Sequence, residues 1–313
     1  MLLIILLLAG GVALLYFGAE FLVRGGVSIA ARLGVSPLVI GLTLVSFATS
    51  APELVVSIQA ALSGSSDIAI GNIIGSNICN IALILGLSAV IAPLSVHLKV
   101  LRFDMPLLLG ITIIFAAVGI WAGGFGRIAG GVLFAGLIAY LLWNVRMEKR
   151  ETLKAESTPE LTKSYSMWLS ILLVLGGLGF LVLGGKCMVS GAVVLGRMAG
   201  LSEAIIGLTI VAVGTSLPEL ATSVVAAFRG EQDIAIGNVV GSNIFNILGI
   251  IGLTALIRPV AASGISPVDW GVLVLTAAIL LPFMRTGTRL VRWEGAALLL
   301  IYTAYIGYLA MSI

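Results

Sequence analysis

Two acidic residues stand in stretches that are otherwise almost free of charge. Glu53 closes the run Gly41-Leu-Thr-Leu-Val-Ser-Phe-Ala-Thr-Ser-Ala-Pro-Glu53, and Glu219 closes Gly207-Leu-Thr-Ile-Val-Ala-Val-Gly-Thr-Ser-Leu-Pro-Glu219. Each is followed by a Gly-Asn-x-x-Gly-Ser-Asn run, Gly71 to Asn77 and Gly237 to Asn243. The copies lie 166 residues apart, and over half of the positions from Gly41 to Leu87 and from Gly207 to Leu253 are identical without a gap. A carboxylate in such a place can hold a cation, move a proton or cap a helix. A duplicated unit has to serve the same end twice.

The neighbours narrow the chemistry. Pro52 and Pro218 remove a backbone hydrogen bond and displace the carbonyl four residues back, at Ala48 or Gly214, so a helix running through them should break. Ser50-Ala-Pro-Glu53 and Ser216-Leu-Pro-Glu219 also fit the Ser-x-x-Glu capping box that opens a new helix. In the second motif, Asn72, Ser76 and Asn80, like Asn238, Ser242 and Asn246, recur every fourth residue and fall on one helical face. Asn72 and Asn238, near the helix ends, suit interhelical hydrogen bonding as well as they suit a ligand role. The pooled donors are two carboxylates, hydroxyls, amide oxygens and freed carbonyls. Lacking His and Cys, that set suits a hard cation such as Ca²⁺, which takes about 6 to 8 oxygens.

The elements that carry these residues are membrane spans. Of 313 residues 60% are hydrophobic and 10% charged, with mean hydropathy +1.20. Apolar runs fit ten spans, at 2–23, 37–63, 69–91, 105–121, 125–146, 167–187, 203–228, 235–257, 268–284 and 291–311. The expected fold is therefore an all-α polytopic membrane protein. Five spans per copy is an odd number, so the second copy enters from the opposite side. This gives two inverted five-helix repeats, 1–146 and 167–313, with helices two and seven broken and a site near the midplane. A carboxylate there is expensive, which is why intramembrane acids are read as functional.

The rest of the chain orients this framework. The segment 147–166 mixes charges and reads as a solvated linker. Most of the 17 Lys and Arg fall on its side of the membrane, leaving Arg127, Lys186, Arg197 and Arg258 on the other. The linker side is thus cytoplasmic and both termini lie outside. The first run lacks a leading positive region and a small-residue cleavage site, and reads as a retained span. Cys79 and Cys187 lie inside spans, where small buried side chains are expected. Asp104-Met-Pro106 and Ser266-Pro-Val-Asp269 read as helix starts. His97, the only histidine, falls in a loop and is given no catalytic role.

The paired Gly-x-Thr-x-x-x-x-x-Thr-Ser-x-Pro-Glu and Gly-Ser-Asn-x-x-Asn motifs resemble the two alpha repeats of the sodium/calcium exchanger family, here 41–87 and 207–253. The resemblance covers essentially the whole chain. It implies a secondary antiporter that exchanges Na⁺ for Ca²⁺ by alternating access, with spans one and six sliding against a core of spans two, three, seven and eight. Carried over by motif position, the implied ligands are Thr49, Ser50, Glu53, Ser76 and Asn80 with the carbonyl of Ser46. In the second copy they are Thr215, Ser216, Glu219, Ser242 and Asn246 with the carbonyl of Ala212. Ser46 stands where relatives carry Ala. Asn246 stands where some relatives, potassium-dependent ones among them, carry Asp, and so argues against potassium co-transport. No regulatory calcium-sensing insert separates the halves.

The expected substrates are Ca²⁺ and Na⁺, with no cofactor. A plasma (inner) membrane location follows, with lipid as surroundings and neither nucleic acid nor an obligate protein partner. The main alternative is an H⁺/Ca²⁺ exchanger of the same superfamily, since a carboxylate can bind H⁺ in place of Na⁺. A cation channel is less favoured, because inverted repeats with broken helices suit a carrier. An intramembrane enzyme would need a nucleophile beside a His, and no such pairing accompanies the glutamates.

Overall fold

Backbone groups in hydrocarbon must be satisfied internally, so the apolar runs close into helices. A computed structural model describes residues 2–152, 165–198 and 212–311. The principal helices are α1 (Leu2–Leu33), α2 (Ala51–Leu62), α3 (Ser66–Ile78), α4 (Met105–Ala122), α5 (Arg127–Thr152), α6 (Met167–Met198), α7 (Leu217–Phe228), α8 (Gln232–Ile244), α9 (Pro267–Arg285) and α10 (Arg292–Met311). Short segments extend several of them. Wide π turns, Cys79–Leu85 and Phe245–Ile251, carry α3 and α8 onward to Ile91 and Ile257.

With these continuations, eight runs among the described residues are long and apolar enough to cross a bilayer. Pro37–Thr49 and Ala51–Leu62 together make a ninth, bent by 45°. The span expected at 203–228 is represented by α7; its residues up to 211 lie outside the described residues, as does most of the linker 147–166. Gly64 (φ +86°) and Gly230 (φ +77°), equivalent in the two copies, stop α2 and α7 in the left-handed conformation that glycine adopts without strain.

Burial singles out the core. In the runs Ser66–Ile91 and Gln232–Ile257, 78% and 83% of the most apolar stretch is buried, against 22–33% in the six other runs that qualify singly. These two runs carry the Gly-Asn-x-x-Gly-Ser-Asn motif. The spans that carry the duplicated Asn and Ser side chains thus lie innermost, where neighbouring helices rather than lipid satisfy them.

Around that core the packing repeats. Helices α1 and α6 lie antiparallel along a seam of glycines: Gly11 faces Gly184 and Met188, Gly18 faces Gly177 and Leu181, and Gly25 faces Ser170 and Val174. A Cβ on Gly18 would come within 2.8 Å of the Leu181 nitrogen, so the close approach requires glycine there. The crossing of Gly86 with Gly295 is matched by that of Gly252 with Gly130. Two short antiparallel strand pairs, Leu94–Ser95 with Arg289–Leu290 and Gly124–Phe125 with Val260–Ala261, tie the loops in the same related way. Tyr140 donates to Asp104 (3.0 Å) and Tyr305 to Asp269 (2.8 Å), pinning α5 to the start of α4 and α10 to the start of α9.

Several expectations are refined. Helices α1 and α6 continue beyond Val23 and Cys187 to Leu33 and Met198. Counting apolar residues stops at Arg24 in the first span, but a long cationic side chain reaches outward from a helix that continues, and Arg24 pairs with Glu20 on its own helix. Ser266 and Asp269 form a capping box at the start of α9. At the start of α4, Asp104 makes no cap and spends its carboxylate on Tyr140. Cys79 is buried and Cys187 partly so, both as free thiols. His97 lies in a loop, 3.4 Å from Asp233.

Candidate functional site

The two prolines set the geometry. Each lies at the start of a helix, α2 or α7, preceded by a residue that has left the helical path: Ser50 at φ −81°, ψ 6° and Ser216 at φ −88°, ψ 5°. Glu53 and Glu219 therefore sit in first turns, whose exposed N–H groups favour negative charge. Both carboxylates are fully buried.

The capping-box expectation fails here. Neither Ser50 nor Ser216 caps its own helix. Each hydroxyl instead crosses to the other copy: Ser50 donates to Glu219 Oε1 at 2.8 Å, and Ser216 to Glu53 Oε1 at 3.2 Å. A hydrogen bond to a buried carboxylate is worth more than one to an exposed N–H, which is the physical reason for the switch. Ser76 lies 3.5 Å from the same Glu53 oxygen and 3.4 Å from the Ser216 hydroxyl. The duplicated motifs thus meet in one place, with each glutamate bonded by the opposite half.

The helices behind them are braced in matching fashion. Asn72 donates to the Glu53 carbonyl (3.2 Å) and the Ser57 hydroxyl (3.0 Å). Asn238 does the same with the Glu219 carbonyl (3.4 Å) and Ser223 (2.9 Å). Between a ligand role and interhelical bonding, these contacts favour the latter for their NH₂ groups. The Asn238 oxygen accepts from Thr49 at 3.0 Å. Ser57 and Ser223 were not singled out from the sequence, although the repeat offset and their place one turn after each glutamate would have found them.

The remaining expected residues divide. Ser46 is buried, and its hydroxyl donates back to the Thr43 carbonyl at 3.1 Å, so this departure from Ala is absorbed by its own helix. The Ser46 carbonyl accepts from the Ser50 N–H (3.0 Å), with the Thr49 and Ser242 hydroxyls at 3.3 and 3.5 Å. Ala212 opens the short helix Ala212–Thr215, and Thr215 is half-buried where Thr49 is fully buried. Asn80 and Asn246 fall within the π turns Cys79–Leu85 and Phe245–Ile251 and are buried. π turns inside α-helices recur at functional sites.

What the arrangement can do follows from its unused atoms. Oε2 of Glu53, Oε2 of Glu219, Oδ1 of Asn246 and both polar atoms of the Asn80 side chain are buried without a hydrogen-bond partner. Buried polar groups are ordinarily satisfied. Among the described residues, no Lys or Arg is a hydrogen-bond or ion-pair partner of either glutamate. Two uncompensated carboxylates with free oxygens call for a cation from outside the chain, held by oxygen alone.

Comparison with known proteins agrees with this chemistry. The family description "Sodium/calcium exchanger protein" matches residues 3–146 and 169–311. The chain belongs to the sodium/calcium exchanger family. It is 33% identical over 96% of its length to the sodium/calcium exchanger MaX1 of Methanosarcina acetivorans, 97% of which is covered. It is 37% identical to the inner membrane protein YrbG of Escherichia coli, over 89% of this chain and 88% of that one. Among solved structures, the sodium-calcium exchanger NCX_Mj soaked with Na⁺ and Sr²⁺ superposes with a TM-score of 0.85 at 35% identity, covering 98% of both chains. As a member of this family the protein is a multi-pass membrane transporter for cation antiport involving Ca²⁺, and not an enzyme.

Proposed function

We propose that this exchanger moves Ca²⁺ against Na⁺ by alternating access at one site shared between two inverted repeats. The supporting observation is the reciprocal bonding of Glu53 by Ser216 and of Glu219 by Ser50, with one oxygen of each carboxylate left over. The proposed ligands are Glu53 and Glu219, the side chains of Thr49, Ser50, Ser76, Asn80, Thr215, Ser216, Ser242 and Asn246, and the carbonyls of Ser46 and Ala212. One Ca²⁺, or several Na⁺ in overlapping positions, neutralises the pair. An empty, doubly negative site is costly to occlude, so the unloaded carrier changes sides poorly and coupled exchange dominates.

The moving part in this reading is the α1 and α6 pair. Its glycine seam presents few side-chain ridges that would lock it in register. The antiparallel course of α1 and α6, first helices of their respective copies, is what inversion requires. Ten spans, a cytoplasmic 147–166 segment, outward termini and a plasma (inner) membrane location complete the proposal.

The test is ⁴⁵Ca²⁺ uptake into proteoliposomes under an imposed gradient of Na⁺, K⁺ or H⁺, one at a time. Uptake driven by Na⁺ alone is expected. Uptake driven by H⁺ and not Na⁺ would overturn the assignment of the counter-ion. Rapid Ca²⁺ flux without any counter-ion would mark a channel.

A further inference from the structure

Between the buried runs lie two asparagines that the expected ligand set does not include. Asn77 and Asn243 belong to the Gly-Ser-Asn triplets and are buried at the contact of the two copies. The Asn77 Nδ2 donates to the backbone carbonyl of Asn243 at 3.4 Å, and the Asn246 Nδ2 donates to the Asn77 Oδ1 at 2.9 Å. The Asn246 Oδ1 is buried with no partner.

The order of these bonds has a fixed direction. A backbone carbonyl can only accept, so the Asn243 carbonyl selects the NH₂ side of the Asn77 amide. Oδ1 of Asn77 is thereby turned toward Asn246 and can only receive its NH₂. That leaves the Asn246 oxygen as the atom turned away from Asn77. An amide rotated by half a turn would present NH₂ in that direction, and an N–H donor repels a cation.

We propose that Asn77 is a positioning residue that holds the Asn246 amide with its oxygen, not its nitrogen, available to the transported cation. This rests on the reading of Asn246 as a ligand. The other copy is wired differently: Asn243 donates to the Val239 carbonyl on its own helix (2.7 Å), and its Oδ1 and both polar atoms of Asn80 have no partner. One amide of the site is oriented in advance and its counterpart is left for the ion to orient. A neutral amide at 246 needs this help, whereas a carboxylate, with two equivalent oxygens, does not.

The experiment is Na⁺-driven ⁴⁵Ca²⁺ uptake by proteoliposomes of the full chain, read as KM for Ca²⁺ and maximal rate. In the native background Asn77→Ala should raise KM roughly five- to tenfold, the size of one lost orienting hydrogen bond, with a smaller effect on the maximal rate. In an Asn246→Asp background the same change should shift KM by less than about twofold. Asn77→Asp, which keeps an acceptor facing the Asn246 NH₂, should not raise KM, and it serves if the alanine variant does not fold. Equal rises for Asn77→Ala in both backgrounds, or a rise with Asn77→Asp matching that of alanine, would reduce Asn77 to a packing residue and overturn the proposal. A raised KM in Asn246→Ala with an unchanged one in Asn77→Ala would overturn the positioning role alone. An unchanged KM in Asn246→Ala would overturn the ligand reading beneath it.

Discussion

The two halves of this exchanger are copies in sequence, yet they are not in the same condition. Their carboxylates are treated alike, each buried, each bonded by a serine from the other half and each keeping a free oxygen. Their surroundings differ. Thr49 is buried and bonded to Asn238, while Thr215 is half-buried. Ser76 reaches Glu53, whereas Ser242 points to the Ser46 carbonyl. Glu20 of α1 forms a forked ion pair with Arg229 at the end of α7, with one contact of 2.9 Å. At the equivalent positions stand Lys186 and Ser63, which cannot form such a pair. A perfectly symmetric carrier would have two access states of equal energy. The differences teach which features belong to the site and which bias the state.

The largest effect should test the equivalence. Under the proposed ligand set, Glu53→Gln and Glu219→Gln should each reduce Na⁺-driven Ca²⁺ uptake by about 100-fold or more, since each would remove a charged ligand from the same ion. If one variant keeps full uptake, the halves do not share a site. Next come the crossing serines. Ser50→Ala and Ser216→Ala should each raise KM for Ca²⁺ by about five- to tenfold, measured in the same vesicles. A marked inequality between them would place the ion nearer one glutamate.

The braces should act on stability. Asn72→Ala leaves the Ser57 hydroxyl and the Glu53 carbonyl without their donor, and Asn238→Ala does so for Ser223 and Glu219. Each should lower thermal stability by about 1–3 kcal/mol, followed as a melting temperature in detergent. Smallest is the one-sided ion pair. Arg229 is about half exposed, so Arg229→Ala should cost roughly 1 kcal/mol or less. Its clearer readout is the ratio of inward to outward exchange rates in oriented vesicles. Lys186→Ala, at the position equivalent to Glu20, should leave that ratio unaltered.

Much of this was legible because duplication leaves a mark that survives in an apolar chain. The Pro-Glu pairs and the apolar, all-helical membrane framework could be read from the sequence alone. The role of Ser50 and Ser216 could not. Ser-x-x-Glu is a local pattern, and the partner that outcompeted the local cap lies in the other half of the chain. The helix end at Leu33 was missed because hydropathy registers the charge of Arg24 and not the backbone that carries it. The π turns that hold Asn80 and Asn246 were not foreseen, because nothing in residue type announces one. Asn77 was in plain view within the motif. Its function depends on the direction of a hydrogen-bond chain, which no spacing encodes.

The central claim is that Na⁺ and Ca²⁺ compete for one site built equally from both halves. Equilibrium ⁴⁵Ca²⁺ binding to the purified protein, titrated with Na⁺, tests it most directly. The account predicts that the apparent Kd for Ca²⁺ rises with a power of the Na⁺ concentration above one, and that Glu53→Gln and Glu219→Gln each abolish the high-affinity component. Ca²⁺ binding indifferent to Na⁺, or retained in full by either variant, would contradict it.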